Sequence, residues 1–285
     1  MPSNFISIIT PSYNRENELI TLYNSILKQN YFNIHWIVID DGSTDNTFSV
    51  VRDLINNSPF QMSYLHKTNG GKLSAQHLGY QALKSDFFFV IDSDDILVDG
   101  VLPMFNDVID KYGDFYDSFI FNRVDLNLNT VIGDSFYKNF TSYYDLLSYV
   151  KGDKVHLLRS YMFLSFSPVI SLLENYISVA QIYIYIAPHY KLKCFNLPAV
   201  RCEYLDSGLT MNMVSNRRLA YNNTRFTYES IFREVNFSYS FRFRACINYY
   251  RFSFTRTFSM RHIFHFPCYI IGFGMYLIDN FSTNR

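Results

Sequence analysis

A chain of 285 residues is long enough for one large or two small domains with a sizeable core. Lys+Arg and Asp+Glu both number 25, and a formal net charge of zero argues against a general nucleic-acid binder. The balance is uneven, because residues 1–214 carry 15 basic and 22 acidic side chains whereas 215–285 carry ten Arg, no Lys and three acids, which predicts a body with one task and a tail that meets an anionic surface.

In chain order, "FISIIT" (5–10) is a short apolar run ending at Pro11, as a buried strand does. Residues 14–30 place apolar side chains at 19, 20, 22, 23, 26 and 27, which is helical spacing. "IHWIVID" (34–40) predicts a second buried strand, and 43–56 a helix with Ser43 or Thr44 as its start signal. A weaker strand at 61–67, a helix at 71–84 and an apolar strand "FFFVID" (87–92) follow. Strand–helix alternation at this pitch predicts a Rossmann-like, mostly parallel sheet with helices on both faces. After about residue 115 the alternation fades into mixed short elements, and a basic, aromatic tail begins near 215.

The four cysteines show no metal-ligand spacing, which predicts reduced thiols in a cytoplasm. The start of the chain has no basic n-region of a signal peptide. The longest apolar run, 266–278, is shorter than the ~20 residues of a spanning helix and is interrupted by Pro267, Gly272 and Gly274.

In a parallel sheet, ligands sit beyond the carboxyl ends of the strands. Here "TPSYNR" follows the first strand, "DDGSTD" the second, "NGGK" (69–72) the third and "DSDD" (92–95) the fourth. Asp92, Asp94 and Asp95 repel one another, so their clustering at a strand end calls for positive charge among them. Hard carboxylate oxygens suit Mg²⁺ or Mn²⁺, which bridges phosphate oxygens. The glycine pair lets backbone approach a phosphate, and Lys72 adds a charge. Taken singly, each motif also has a plain reading: a turn at Asp-Gly, or a helix cap at Asp94. Together they point to a nucleoside-diphosphate ligand.

In that order and at those separations, "SIITPSYNRENEL", "IVIDDGSTDNT", "NGGK" and "DSDD" resemble the nucleotide-sugar half of inverting family-two glycosyltransferases with the GT-A fold, over roughly residues 5–100. The resemblance implies that Pro11 and Tyr13 line the base and ribose pocket and that Asp41 accepts a hydrogen bond from uracil. It implies that Lys72 approaches the diphosphate, that Asp94 and Asp95 are the metal-motif aspartates, and that Asp92 is that motif's first carboxylate. A looser similarity over 152–210 ("GDKVHLLR", "ENYI", "EYLDSGLT") is to bacterial enzymes that extend lipid-linked O-antigen or capsule oligosaccharides. It implies a UDP-hexose donor (glucose or galactose), a lipid-linked acceptor of the undecaprenyl-diphosphate type, and no nucleic-acid partner. The expected division is 1–100 for the nucleotide-sugar half, 101–214 for the acceptor half, and 215–285 for a C-terminal helical, basic and aromatic extension.

Inverting transfer needs a base for the acceptor hydroxyl, and Glu174 and then Asp153 are the candidates. Each has a plainer role open to it: a solvated helix residue for Glu174, a helix cap for Asp153. The family's middle segment carries a second acid where this chain has Val179 or, in another alignment, Asn175. A catalytically silent nucleotide-sugar-binding partner subunit is therefore one alternative, and a nucleotidyltransferase another. His156 and His189 are acid–base candidates by residue type, and Arg159 a candidate phosphate partner. In the tail, nine Arg between 217 and 261 interleave with aromatics. They predict a peripheral contact with the inner face of the cell membrane, with Arg at anionic headgroups and Phe, Tyr and Ile in the interface; a helical subdomain packing its own aromatics is the plainer reading.

Overall fold

The computed structural model describes residues 4–167, 174, 176–202, 213–253 and 266–282. Its sheet has eight strands: β1 (Ile6–Ser12), β2 (Ile34–Asp40), β3 (Gln61–His66), β4 (Phe87–Val90), β5 (Ile96–Leu97), β6 (Ser118–Asp125), β7 (Lys154–Arg159) and β8 (Leu192–Cys202). The strand order is β3-β2-β1-β4-β7-β6-β8-β5. Only β7 and β5 run against the rest, so β1, β2, β3, β4, β6 and β8 present their carboxyl ends to one edge.

The helices are α1 (Glu16–Leu27), α2 (Thr47–Asn57), α3 (Lys72–Gln81), α4 (Val101–Tyr112), α5 (Tyr143–Tyr149), α6 (Ala180–Ile186), α7 (Met213–Leu219), α8 (Tyr221–Arg233), α9 (Tyr239–Ser253) and α10 (Phe266–Ser282). Period-two alternation assigns the two sheet faces. Ile6, Ile8, Trp36, Val38 and Phe89 pack with Leu19 and Leu22 of α1, Val51 of α2 and Phe105 of α4. On the opposite face Ile9 and Ile39 meet α3 at Gly79, where a Cβ would lie 2.9 Å from both side chains. Both faces of the central strands are thus dry, which is why they read as continuous apolar runs.

Two predicted helix starts move inward. Asn14 adopts a left-handed φ of 53° and cannot belong to a helix, so α1 begins at Glu16. Ser43 and Thr44 do not start α2. Ser43 donates its backbone N–H to Asp40 and accepts Asn14's, and Thr44 donates to Asn14 Oδ1, so 43–46 form a turn and the helix starts at Thr47.

The chain divides into two compact units, one with all eight strands and α1–α4, the other with α5 from Tyr144, α6 and α7–α10. In the second unit α9 packs on α8 and on α10. Aromatic residues of the tail that the sequence places at an interface are instead its interior: Phe237, Tyr249, Tyr250 and Phe252 are buried. Several tail arginines also turn inward. Arg225 donates to Tyr249 Oη, Arg242 to the carbonyl of Phe232, and Arg251 to both oxygens of Asp279 at 2.7 Å. Arg256 and Arg261 lie outside the described residues.

Candidate active site

The second strand delivers Asp40 and Asp41 to the carboxyl edge, both buried. Asp40 holds the turn: Oδ1 accepts from the Ser43 N–H at 2.7 Å and Oδ2 from the Tyr64 hydroxyl. Gly42 has φ 85°, and a Cβ there would lie 2.9 Å from Asn69 N, so glycine lets the loop after β2 press on the loop after β3. Asp41 joins those loops. Its carboxylate accepts from Lys67 Nζ at 2.7 Å and from the N–H groups of Gly70 and Gly71 at 2.9 and 2.8 Å. Pro11 is buried in β1, and the next rim residue but one, Tyr13, is exposed.

After β4 come the three aspartates. Asp92 pairs with Lys72 Nζ at 2.6 Å and lies 3.9 Å from Arg123. Asp94, partly exposed, faces Arg15 at 3.6 Å. Asp95 is buried and receives Arg123 Nη2 at 2.7 Å. Each of the four expected carboxylates, Asp41, Asp92, Asp94 and Asp95, therefore faces its own cation: Lys67, Lys72, Arg15 and Arg123. The repulsion foreseen from the sequence is offset within the chain itself. Of these cations the sequence marks only Lys72 for a site role, and the structure sets it against Asp92.

Arg123 has no local sequence signal. It reaches the site because β6 runs parallel to β4, which brings its carboxyl end to the same edge. Its Nε is buried and has no acceptor among the described residues. Asp153 immediately precedes β7, one residue beyond the last β6–β7 pair, Asn122–Lys154, and so stands across from Arg123. It is exposed, and its charge helps hold the Arg123 guanidinium protonated, after those of Asp95 and Asp92.

Burial would lift Asp92, but Lys72 and Arg123 hold it below the usual carboxylate range. Asp95 goes the other way. Burial pushes it up to about 7, Arg123 opposes, and Asp92 and Asp94 add to the rise. Asp94 and Asp95 bring hard carboxylate oxygens, the donor type that suits a divalent cation. Among the described residues no group of three His, Cys, Asp or Glu side chains converges to hold an ion unaided.

Glu174 lies in the second unit, where it caps α8. Its Oε1 accepts from the backbone and side-chain amides of Asn222 at 2.8 and 2.9 Å, and Oε2 from the Asn223 N–H at 2.8 Å. Val179 is exposed just before α6, and Asn175 is outside the described residues.

Arg159 is not at the site. It pairs with Phe87 at the start of β4, the sheet edge opposite the aspartates, and its guanidinium covers the Phe87 ring at 4.5 Å. His189 is exposed. The ring of His156 stacks on Tyr143, and its Nδ1 bonds the Tyr143 hydroxyl at 3.1 Å. Burial, then Arg123 and Lys154, drive its pKa down to about 3, so it is neutral at pH 7. The unfolded chain takes up this proton from about pH 6.5, whereas the native state refuses it until near 3. The associated stability is intact above the unfolded value and is lost as pH falls, by up to about 1.4 kcal/mol per pH unit. Urea unfolding at pH 7 and pH 5 is expected to show His156→Gln losing about 2 kcal/mol less than wild type over that interval; equal losses contradict it.

The sequence model of glycosyl transferase family 2 matches residues 7–171, more than half of the chain. The glycosyltransferase GlyG of Streptococcus pneumoniae serotype 4 is 34% identical over 114 residues, which are 39% of this chain and 38% of that protein. An uncharacterized glycosyltransferase of Haemophilus influenzae is 36% identical over 97 residues, 34% of this chain and 39% of its own. These matches span about two fifths of each relative's length. Among solved structures, S. aureus TarS 1–349 in complex with UDP-GlcNAc superposes with a TM-score of 0.64 at 17% identity, over 95% of this chain and 80% of that one. The mannosyltransferase PcManGT from Pyrobaculum calidifontis, in complex with GDP-Man and Mn²⁺, gives 0.56 at 14% identity, over 96% and 74%. The eight-stranded, mostly parallel sheet is that of the GT-A fold, and the chain belongs to glycosyl transferase family 2.

Proposed function

We propose that the protein is an inverting hexosyltransferase that moves a sugar from a UDP donor to a lipid-linked saccharide of the undecaprenyl-diphosphate type, in bacterial O-antigen or capsule synthesis. The observation that carries the reading is the gathering of Asp41, Asp92, Asp94 and Asp95, with Lys72 and Arg123, at one sheet edge. The likeness in fold to a solved structure in complex with UDP-GlcNAc supports a UDP donor.

In this reading residues 1–100 bind the donor, 101–214 the acceptor, and 215–285 meet the inner face of the membrane. Pro11 and Tyr13 flank the base and ribose, and Asp41 takes the uracil edge. Lys72 and Arg123 neutralise charge on the departing diphosphate. Asp94 and Asp95 would hold Mn²⁺ or Mg²⁺, which would supply Lewis-acid chemistry for that leaving group. The acceptor oxygen forms a bond to the anomeric carbon, the bond to the diphosphate oxygen breaks, and the acceptor proton passes to a carboxylate. General-base help is worth roughly 10²–10⁴-fold.

Glu174 and Asp153 are the candidates for that base. Glu174→Gln keeps an oxygen for the α8 cap, and Asp153→Asn keeps the side-chain shape, so both variants are expected to fold and bind UDP. The variant that removes the base is expected to lose turnover by about 10²-fold or more. Wild-type rates in both would remove both residues from the role. The function itself is tested by a UDP-sugar panel with a synthetic lipid-diphosphate saccharide, read as released nucleoside diphosphate. Release of inorganic diphosphate would signal nucleotidyl transfer, and donor binding without turnover would signal a silent subunit.

A further inference from the structure

We infer that the outer face of α10 is a lipid-seated surface, lying along an anionic phospholipid membrane rather than through it. The inference rests on the membrane-linked acceptor reading and assigns the contact to one helix face.

Helix α10 has two unlike sides. At 100° per residue, Cys268, Tyr269, Gly272, Tyr276 and Asp279 share one half. That half meets the rest of the bundle. Cys268 is buried, Tyr269 packs edge-on against Tyr250 at 5.6 Å, and Asp279 is bound by Arg251 at 2.7 Å and Arg218 at 3.5 Å. At Gly272 the helices nearly touch: a Cβ would sit 2.7 Å from the Ile247 carbonyl and 2.8 Å from Tyr250 Cβ.

Among residues 266–279, whose side chains are described, the other half carries Phe266, Ile270, Ile271, Gly274, Leu277 and Ile278 and no polar side chain. Phe266 is 59% exposed, Ile270 52% and Ile278 67%. A Cβ at Gly274 would meet nothing within 4 Å. An exposed helix half without a polar group marks a contact surface. Seventeen residues span about 25 Å, and no helix among the described residues is long and apolar enough to cross a membrane. A helix with one half packed on its own bundle and the other half bare and apolar is suited to lie along an interface with that bare half down.

Charge selects the occupant. Segment 215–285 has ten Arg against three acids, and the one acid of α10 is neutralised by two guanidiniums. A second copy across a two-fold axis would set this basic segment against itself, whereas anionic headgroups complement it. The arginines that hold the bundle together give the segment its sign, and α10 supplies the apolar contact.

The test uses the full chain and vesicles of phosphatidylglycerol with phosphatidylethanolamine, beside vesicles of phosphatidylcholine alone. Wild type is expected to float with the anionic vesicles and weakly or not at all with the neutral ones. Gly274→Glu puts a carboxylate in the middle of the face, without a clash and with better helix propensity than glycine; Ile278→Glu does the same at an independent position. Both are expected to lower vesicle affinity about tenfold or more, while Gly274→Ala floats as wild type. Circular dichroism and UDP binding are expected to be unchanged in all three. Flotation of both Glu variants at the wild-type level overturns the inference, as does a wild type that ignores anionic vesicles and forms a concentration-dependent dimer that Gly274→Glu dissolves. Loss of flotation in the Glu variants of a protein that transfers no sugar would sustain the lipid surface while removing the transferase reading.

Discussion

Replacing Arg123 with Met is expected to destabilise the protein by about 3–5 kcal/mol, the cost of removing one partner of a buried ion pair. The guanidinium lies 2.7 Å from Asp95 and 3.9 Å from Asp92. Without it, Asp95 keeps the burial that already raises its pKa and loses the charge that opposes the rise. The carboxyl is then expected to take up a proton at neutral pH, and UDP-sugar affinity and turnover to fall together. Chemical denaturation and donor titration of the same preparation read both effects. A second change separates stability from function. Asp95→Asn on the Arg123→Met background replaces the carboxyl by a neutral amide that needs no proton, so it is expected to recover much of the lost stability above neutral pH without recovering activity. Wild-type stability in Arg123→Met would mean that the pair is not what holds this edge of the sheet together.

The second large effect is expected at Asp41. Its carboxylate accepts from Lys67 and from the N–H groups of Gly70 and Gly71. Asp41→Ala removes the shared acceptor of these three half-buried donors, and each lost hydrogen bond to a charged group is worth about 1.5–3 kcal/mol. The glycine loop would lose the shape it presents to a diphosphate, so UDP affinity is expected to fall about 100-fold or more. Asp41→Asn retains one carbonyl oxygen for the loop but brings an amide against Lys67, so an intermediate loss is expected. Isothermal titration with UDP gives the order wild type, Asn, Ala; an Ala variant that binds as wild type would dismiss Asp41 from both roles, contact to the base and tie between loops.

How much of this was readable beforehand differs by element. Residues 34–40 form β2 as the apolar run predicts, because a strand dry on both faces writes its burial into every position. The acids at the ends of β2 and β4 were readable because a parallel sheet sends successive carboxyl ends to one edge. The onset of α2 was not, since Ser43 and Thr44 resemble helix caps in isolation and are spent on Asp40 and Asn14 across the loop. Glu174 is a similar case: nothing within four residues of it shows that its carboxylate will cap a helix that starts at Tyr221.

The amino-acid sequence by itself determined the strand–helix alternation of the first hundred residues, the acids at their strand ends and the family to which they belong. Hydrophobic period and turn chemistry are local properties, carried within a few residues of where they act. Only the tertiary structure decided which cation answers each acid. Arg123 meets Asp95 because β7 enters the sheet antiparallel between β4 and β6, and that returns β6 parallel to β4 with its carboxyl end at the same edge. The two-sidedness of α10 was settled in the same way. Its apolar run reads alike on all sides until α9 covers one half at Gly272 and Tyr269 and leaves Ile270, Gly274 and Ile278 to the outside, because burial belongs to a pair of surfaces and a linear pattern describes only one of them.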